Sequence, residues 1–288
     1  MTIKNDRLEV STKSEGAELT SIKLNGKEYL WNGDEKYWGR HAPILFPIVG
    51  KLKDGKTLIE DKEYLMGRHG FARDMEFELI EHTENKVKYL LKSDDRTLKS
   101  YPYLFELYVS YELEENRLKV VYEVKNTDEK DIYFSIGAHP AFCCPIEENE
   151  KFEDYYIEFE KKETQNFIAQ DENGYISEEN SLIIDNTNVL ELDKDVFKKI
   201  DTYIFHNLNS KEVSLKSKKG DRCIKMYFEG FPYFGIWTKP DAAPFICLEP
   251  WYGVTDFKRT DGKFINKVGI QRLEIGNTFV CDYEIEVK

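Results

Sequence analysis

One carboxylate, two imidazoles and a few guanidiniums stand out by their surroundings. Glu249 lies in Pro244-Phe245-Ile246-Cys247-Leu248-Glu249-Pro250-Trp251-Tyr252-Gly253, at the end of an apolar strand and fenced by Pro250 and Trp251. Desolvation there raises a carboxyl pKa, whereas a nearby Arg lowers it. A buried Glu without a task is uncommon. His139 lies in Ser135-Ile136-Gly137-Ala138-His139-Pro140-Ala141-Phe142-Cys143-Cys144-Pro145. Gly137 permits backbone angles or a close approach that a side chain would forbid, and Pro140 biases His139 toward extended angles. An imidazole held so at a strand end can give or take a proton at neutral pH, since its ordinary pKa is about 6.5. Its plainer role is to hydrogen-bond a turn. His69 and Arg73 share the glycine-flanked loop Gly67-Arg68-His69-Gly70-Phe71-Ala72-Arg73-Asp74, and Arg40 follows Tyr37-Trp38-Gly39. For Arg73 the competing role is an ion pair with Asp74 or Glu76. Carboxylate plus imidazole is a general base and general acid. Aromatic faces such as Trp251, beside Arg and His donors, suit a polyhydroxylated ring.

Other chemistries lack their residues. There is no nucleophile elbow, phosphate loop or metal-ligand spacing, so neither a cofactor nor a metal is expected. The five cysteines, at 143, 144, 223, 247 and 281, are odd in number and form no CxxC, which suits a reducing compartment. A formal net charge of −13 argues against nucleic acid as partner. The N-terminal residues carry no apolar signal core, and no apolar run is long enough to cross a bilayer. The expectation is a cytoplasmic protein whose partner is a small molecule, with no membrane or nucleic-acid contact.

The elements that must position these groups read as strands. Ser21 to Leu24 alternates, Asn25-Gly26 supplies a tight turn, and Lys27 to Leu30 returns. The apolar run Ile44 to Gly50 contains Pro47 and follows Pro43, which argues against a regular central strand and for a segment that lines something. Alternating runs follow at Met75 to Glu81, Lys86 to Lys92, Phe105 to Leu113, Arg117 to Asn126 and Asp131 to Ile136. More come at Tyr155 to Phe159, Glu212 to Lys216, Arg222 to Phe228, Phe234 to Thr238, Phe245 to Pro250 and Phe279 to Val287. The acidic run Glu147 to Asp154 reads as a solvated loop. Asp193 to Ile200 is the one helix in this half, capped by Asp193. Closely spaced strands with few helices predict an all-β, large antiparallel sandwich, and the absence of a linker predicts a single domain over 1–288.

Trp38-Gly39-Arg40 through Phe46-Pro47, His69-Gly70-Phe71-Ala72-Arg73-Asp74, Gly137-Ala138-His139-Pro140-Ala141-Phe142 and Leu248-Glu249-Pro250 together resemble the aldose 1-epimerase (galactose mutarotase-like) superfamily. With Glu249 to Gly253 and Gly269-Ile270-Gln271, the set is most similar to its LacX-type and hexose-6-phosphate mutarotase-like branch. The resemblance implies a β-supersandwich and cofactor-independent interconversion of the α- and β-anomers of an aldose, either a hexose or a hexose phosphate. It implies Glu249 as the base that takes the anomeric hydroxyl proton and His139 as the acid that protonates the ring oxygen. It further implies Arg40, His69 and Arg73 as substrate-binding residues, with Asp201 matching an aspartate that binds sugar hydroxyls. His139 lies in Gly-Ala-His-Pro-Ala-Phe rather than the Thr-His-Pro-Tyr-Phe of galactose-specific enzymes, so the resemblance implies an aldose without singling out galactose. The competing class is a non-catalytic carbohydrate-sensing module on the same fold. Glycosidic hydrolysis is weaker still, since it normally uses two facing carboxylates.

Overall fold

The computed structural model describes residues 1–171, 173–239 and 243–288. Its centre is a hairpin of the strands Phe105–Glu114 and Arg117–Asn126, in register from Phe105 opposite Asn126 to Glu114 opposite Arg117. Leu118, Val120, Tyr122 and Val124 are buried, while Lys119, Val121, Glu123 and Lys125 take the half-covered or exposed face. A one-residue slip would turn the whole apolar set outward, so this alternation sets the register. The hairpin lies within a nine-stranded antiparallel sheet. Across that sheet the order is Ile176–Glu191, Tyr155–Gln170, Glu212–Ser217, Cys223–Tyr227, Thr278–Val287, Arg117–Asn126, Phe105–Glu114, Lys86–Lys92 and Glu78–His82.

A smaller sheet carries the chemistry-bearing residues. Its path is Thr202–His206, Tyr233–Trp237, Phe245–Tyr252, Ile136–Ala138 and Ile44–Leu45, with Ala141–Cys143 pairing farther along Phe245–Tyr252. Strand Phe245–Tyr252 is buried at every position but the last, because both its faces are covered. Ile246 and Leu248 point into the main core, whereas Cys247 and Trp251 join two smaller apolar clusters. That main core is continuous from Ile3 to Val287. Phe46 is one of its hubs, with ring centroids 5.0 Å from Phe105, 5.8 Å from Phe134, 5.9 Å from Tyr101 and 6.3 Å from Phe71.

Several expectations meet their elements. The first residues form a four-stranded sheet whose Leu19–Leu24 and Lys27–Glu28 are joined by Asn25-Gly26, both at positive φ. The helix runs Lys194–Ile200, and the Asp193 carboxylate accepts from the Asp195 N–H at 2.8 Å, the usual satisfaction of an orphan donor. Others change. The run Asp131 to Ile136 divides at Ser135: Ile132–Phe134 pairs with Gln271–Leu273, and Ile136–Ala138 joins the smaller sheet. Glu150 in the acidic run is buried, satisfied by the hydroxyls of Tyr155 and Ser217. The long strands Tyr155–Gln170 and Ile176–Glu191 far exceed the short run expected at Tyr155 to Phe159. Their polar, Asn- and Glu-rich composition lacks clean alternation, and their register shifts repeatedly.

Candidate active site

Gly137 pairs with Trp251, and Gly235 pairs with Glu249, on the two strands flanking Phe245–Tyr252. A Cβ on Gly137 would lie 2.6 Å from Trp251 Cδ1, and one on Gly235 would lie 2.6 Å from the far edge of the same ring. The two glycines therefore let the indole lie flat across the sheet, where its Nε1–H donates to the Ala138 carbonyl at 3.2 Å. His139 follows directly, between two strand segments. Its Nε2 stands 3.3 Å from Glu249 Oε2. Trp38 stacks on the imidazole at 5.0 Å, Trp237 meets it edge-on at 5.5 Å and His69 edge-on at 5.6 Å. Buried Glu18 holds the Trp38 loop by accepting from the His41 and Ala42 N–H groups at 2.8 and 3.1 Å.

The His69 loop is stapled to the segment containing Pro47. The Phe71 and Ala72 N–H groups donate to the Phe46 carbonyl, and the Phe46 N–H donates to that of His69. His69 itself sits at φ 65°, a strained angle for a residue with a side chain. Two bonds hold it there: its N–H donates to the Gly50 carbonyl at 2.7 Å, and the Gly50 N–H donates to Nδ1 at 3.1 Å. Because Nδ1 accepts, the neutral ring carries its proton on Nε2. Arg73 donates through Nη2 to the Arg68 carbonyl at 2.8 Å, and its Nε is buried without a hydrogen bond, 3.7 Å from Asp74.

These groups border a cavity of about 350 Å³. That lies at the small end of the range for small-molecule sites, roughly 300–1,000 Å³, and suits one sugar ring better than a chain of them. His69, Arg73, His139, Asp201, Glu249 and Trp251 all line it. Arg40 does not; its Nη2 donates to Asp74 at 2.6 Å, so it borders the site through Asp74. Asp201 ends the helix at φ 58° and accepts from Trp237 Nε1–H at 3.3 Å and the Thr202 hydroxyl at 3.2 Å. Trp38, Lys51, Arg68, Trp237 and Lys239 also line the cavity. Of these, Arg68 had a usable signal in the sequence, since it precedes His69 between two glycines. Lys51 and Lys239 reach the cavity only because separate loops fold over it.

Burial governs the electrostatics. Glu249 is pushed well above the ordinary carboxyl range by desolvation, with the charge of Asp201 adding to it. His139 is driven down to about 3, again chiefly by desolvation, with Arg73, Arg68 and Arg40 opposing a second positive charge. His69 is lowered well below its usual value by burial and by the neighbouring His139 and arginines. Glu249 Oε2 and His139 Nδ1 are buried without hydrogen-bond partners. Unpaired polar atoms of this kind are costly in a structural site and ordinary in one that awaits a ligand.

Residues 1–267 match the aldose 1-epimerase family. The plasmid and chromosomal LacX proteins of Lactococcus lactis subsp. lactis are 38% identical over 262 residues, covering 88% of this chain and 87% of theirs. Two solved structures superpose over the full chain. A galactose mutarotase related enzyme from Lactobacillus acidophilus has a TM-score of 0.95 at 33% identity with 97% of its chain covered, and a galactose mutarotase-like protein from Lactobacillus casei has 0.94 at 30% with 99% covered. Among the described residues no helix is long and apolar enough to cross a membrane. A β-sandwich of galactose mutarotase-like form, with an imidazole and a carboxyl facing one sugar-sized cavity, is what the family match leads one to look for: the chain belongs to the aldose 1-epimerase family and is an isomerase of the mutarotase type.

Proposed function

We propose that the chain, acting as a single domain without a cofactor, interconverts the α- and β-anomers of a hexose or hexose phosphate. Glu249 serves as base and His139 as acid. The observation that carries this reading is the 3.3 Å approach of His139 Nε2 to Glu249 Oε2 at the cavity wall. The two oxygens that exchange protons in anomerisation, the anomeric hydroxyl and the ring oxygen, share one carbon, so an acid and a base side by side can serve both.

Burial of both groups disfavours charge on either one, so each proton moves only in concert with the other. The carboxyl is raised and the imidazole lowered by the same desolvation, with the Asp201 charge adding at Glu249 and the arginines at His139. The reaction uses the pair with the carboxyl ionised to receive the O1 proton and the imidazole protonated to supply one to the ring oxygen. The carboxylate then takes the O1 proton as the imidazolium protonates the ring oxygen, and the C1–O5 bond opens to the aldehyde. Rotation about C1–C2 and closure on the other carbonyl face, with the roles reversed, give the other anomer. Trp251 and Trp38 offer apolar faces to the ring, His69 Nε2–H and Arg73 offer donors to its hydroxyls, and Asp201 offers an acceptor. Arg40 acts at one remove, by holding Asp74 beside Arg73. Lys51, Arg68 and Lys239, also on the wall, favour a phosphorylated sugar against a net charge of −13.

The test is exchange NMR on purified anomers of free and 6-phosphorylated aldoses. Catalysed exchange that Glu249→Gln and His139→Asn each lower by about 10²–10⁴-fold is the expected result. Sugar binding without accelerated exchange would replace this reading with that of a carbohydrate-sensing module.

A further inference from the structure

The acid–base pair has a third neighbour that proton transfer does not use. Cys247 lies two residues before Glu249 on the same face of Phe245–Tyr252, fully buried. One ligand atom from each of His139, Cys247 and Glu249 falls within 4.8 Å of the others, the one such trio among the described residues. We propose that a thiophilic divalent cation of the zinc class binds between these three side chains and silences the site.

Geometry comes first. Two ligand atoms on a tetrahedral zinc, at bond lengths of about 2.0–2.1 Å, stand about 3.4 Å apart, and His139 Nε2 and Glu249 Oε2 stand 3.3 Å apart. A sulfur bonded at about 2.3 Å needs about 3.6 Å to each of them, so the trio closes on an ion with shifts of about 1 Å. Glu249 Oε2, nine-tenths buried and more, has no hydrogen-bond partner to give up.

Charge comes next. A buried centre tolerates little net charge. One divalent ion with a thiolate, a carboxylate and a neutral imidazole sums to zero. Binding forms the metal–sulfur, metal–nitrogen and metal–oxygen bonds. It releases to solvent the Cys247 thiol proton and any proton carried by the Glu249 carboxyl, since the ligands bind as thiolate, carboxylate and neutral imidazole. The fourth position keeps a water on the cavity side, and the cavity is the ion's way in, since His139 and Glu249 line it while Cys247 sits behind them. Thiolate and imidazole select zinc over magnesium or calcium.

The loss of turnover rests on the acid–base reading of this pair, whereas the binding does not. The experiment titrates the full-length, metal-free protein with Zn²⁺ by calorimetry, with Co²⁺ by absorption and with Mg²⁺ as control, and repeats exchange NMR at each zinc concentration. One Zn²⁺ per chain, a thiolate-to-Co²⁺ charge-transfer band and inhibition that EDTA reverses are expected. Cys247→Ala should weaken zinc binding by about 100-fold or more, a direct ligand mattering at least as much as the outer groups that typically cost 10–100-fold. It should keep the metal-free exchange rate. Cys247→Ser serves if the alanine variant folds poorly, and the Co²⁺ spectrum of the native protein needs no variant. A Co²⁺ complex without the thiolate band, or zinc inhibition undiminished in the Cys247 variants, overturns the proposal. Absence of exchange in metal-free protein that still forms the Cys247-dependent complex would instead refute the catalytic reading and leave the metal site standing.

Discussion

Replacing Glu249 by Gln separates a catalytic role from a structural one, because the two predict opposite signs in stability. The carboxyl is only 1% exposed, and its Oε2 has no hydrogen-bond partner. A folded-state pKa above the unfolded value means that the unfolded chain gives up this proton first as pH rises. Above the ordinary carboxyl range, the buried group therefore subtracts from stability, and the deficit grows toward neutral pH. Gln keeps the shape and removes the titration, so the midpoint of urea unfolding at pH 7 should hold or rise. The rate should fall. Acid–base groups are worth about 10²–10⁴-fold, or roughly 3–5 kcal/mol of activation free energy. The loss belongs at the upper end, since Asp201, the other carboxylate on the wall, is held by Trp237 and Thr202. Pairing the change with His139→Asn extends the test. A base and an acid that serve the two oxygens of one carbon in the same step act as a unit, so the double variant should lose about as much as the worse single one rather than the product of both. Exchange NMR at saturating sugar measures the rates. Near-normal exchange in Glu249→Gln, multiplicative losses in the double variant, or a large drop in stability without loss of rate would each refute the reasoning.

Other consequences follow from the framework. Gly137→Ala places a Cβ 2.6 Å from Trp251 Cδ1 and should cost about 1–3 kcal/mol, with a slower exchange rate because His139 shifts with the strand; urea melts and rates on the same samples check both. Phe46→Ala empties the hub against four aromatic rings and should cost about 3–5 kcal/mol, read from denaturant midpoints. Arg68→Ala should raise KM for a 6-phosphorylated hexose at least tenfold, as the loss of about 1.4 kcal/mol or more from a charge-assisted contact implies. It should leave a free hexose nearly unaffected; equal effects on both sugars would remove the phosphate assignment.

Legibility in the sequence followed local physics. Alternation from Phe105 to Asn126 gave strands of the right length, because a pleated strand buries every second residue whatever its neighbours are. The Asp193 cap and the Asn25-Gly26 turn were readable for the same reason: each satisfies its own backbone. The strand Ile176–Glu191 was not, since its pairing to Tyr155–Gln170 proceeds through register shifts without an apolar rhythm. The division at Ser135 was hidden as well, because a change of partner strand leaves no local mark. Arg40 shows a further limit. Its motif marks it as a site residue, yet its guanidinium is engaged with Asp74 and does not line the cavity.

The order of residues by itself determined which side chains could handle protons, that the chain would pair as antiparallel strands, and that Glu249 would lie in an apolar strand. Only the tertiary structure decided that His139, between the two short strands Ile136–Ala138 and Ala141–Cys143, meets Glu249 at 3.3 Å and that Cys247 stands within 4.8 Å of them both. Hydrogen bonds and apolar periodicity are local and can be read along the chain. The distance between two groups more than a hundred residues apart depends on sheet order and on where Gly137 and Gly235 let Trp251 lie, and these emerge only when all the strands are packed together.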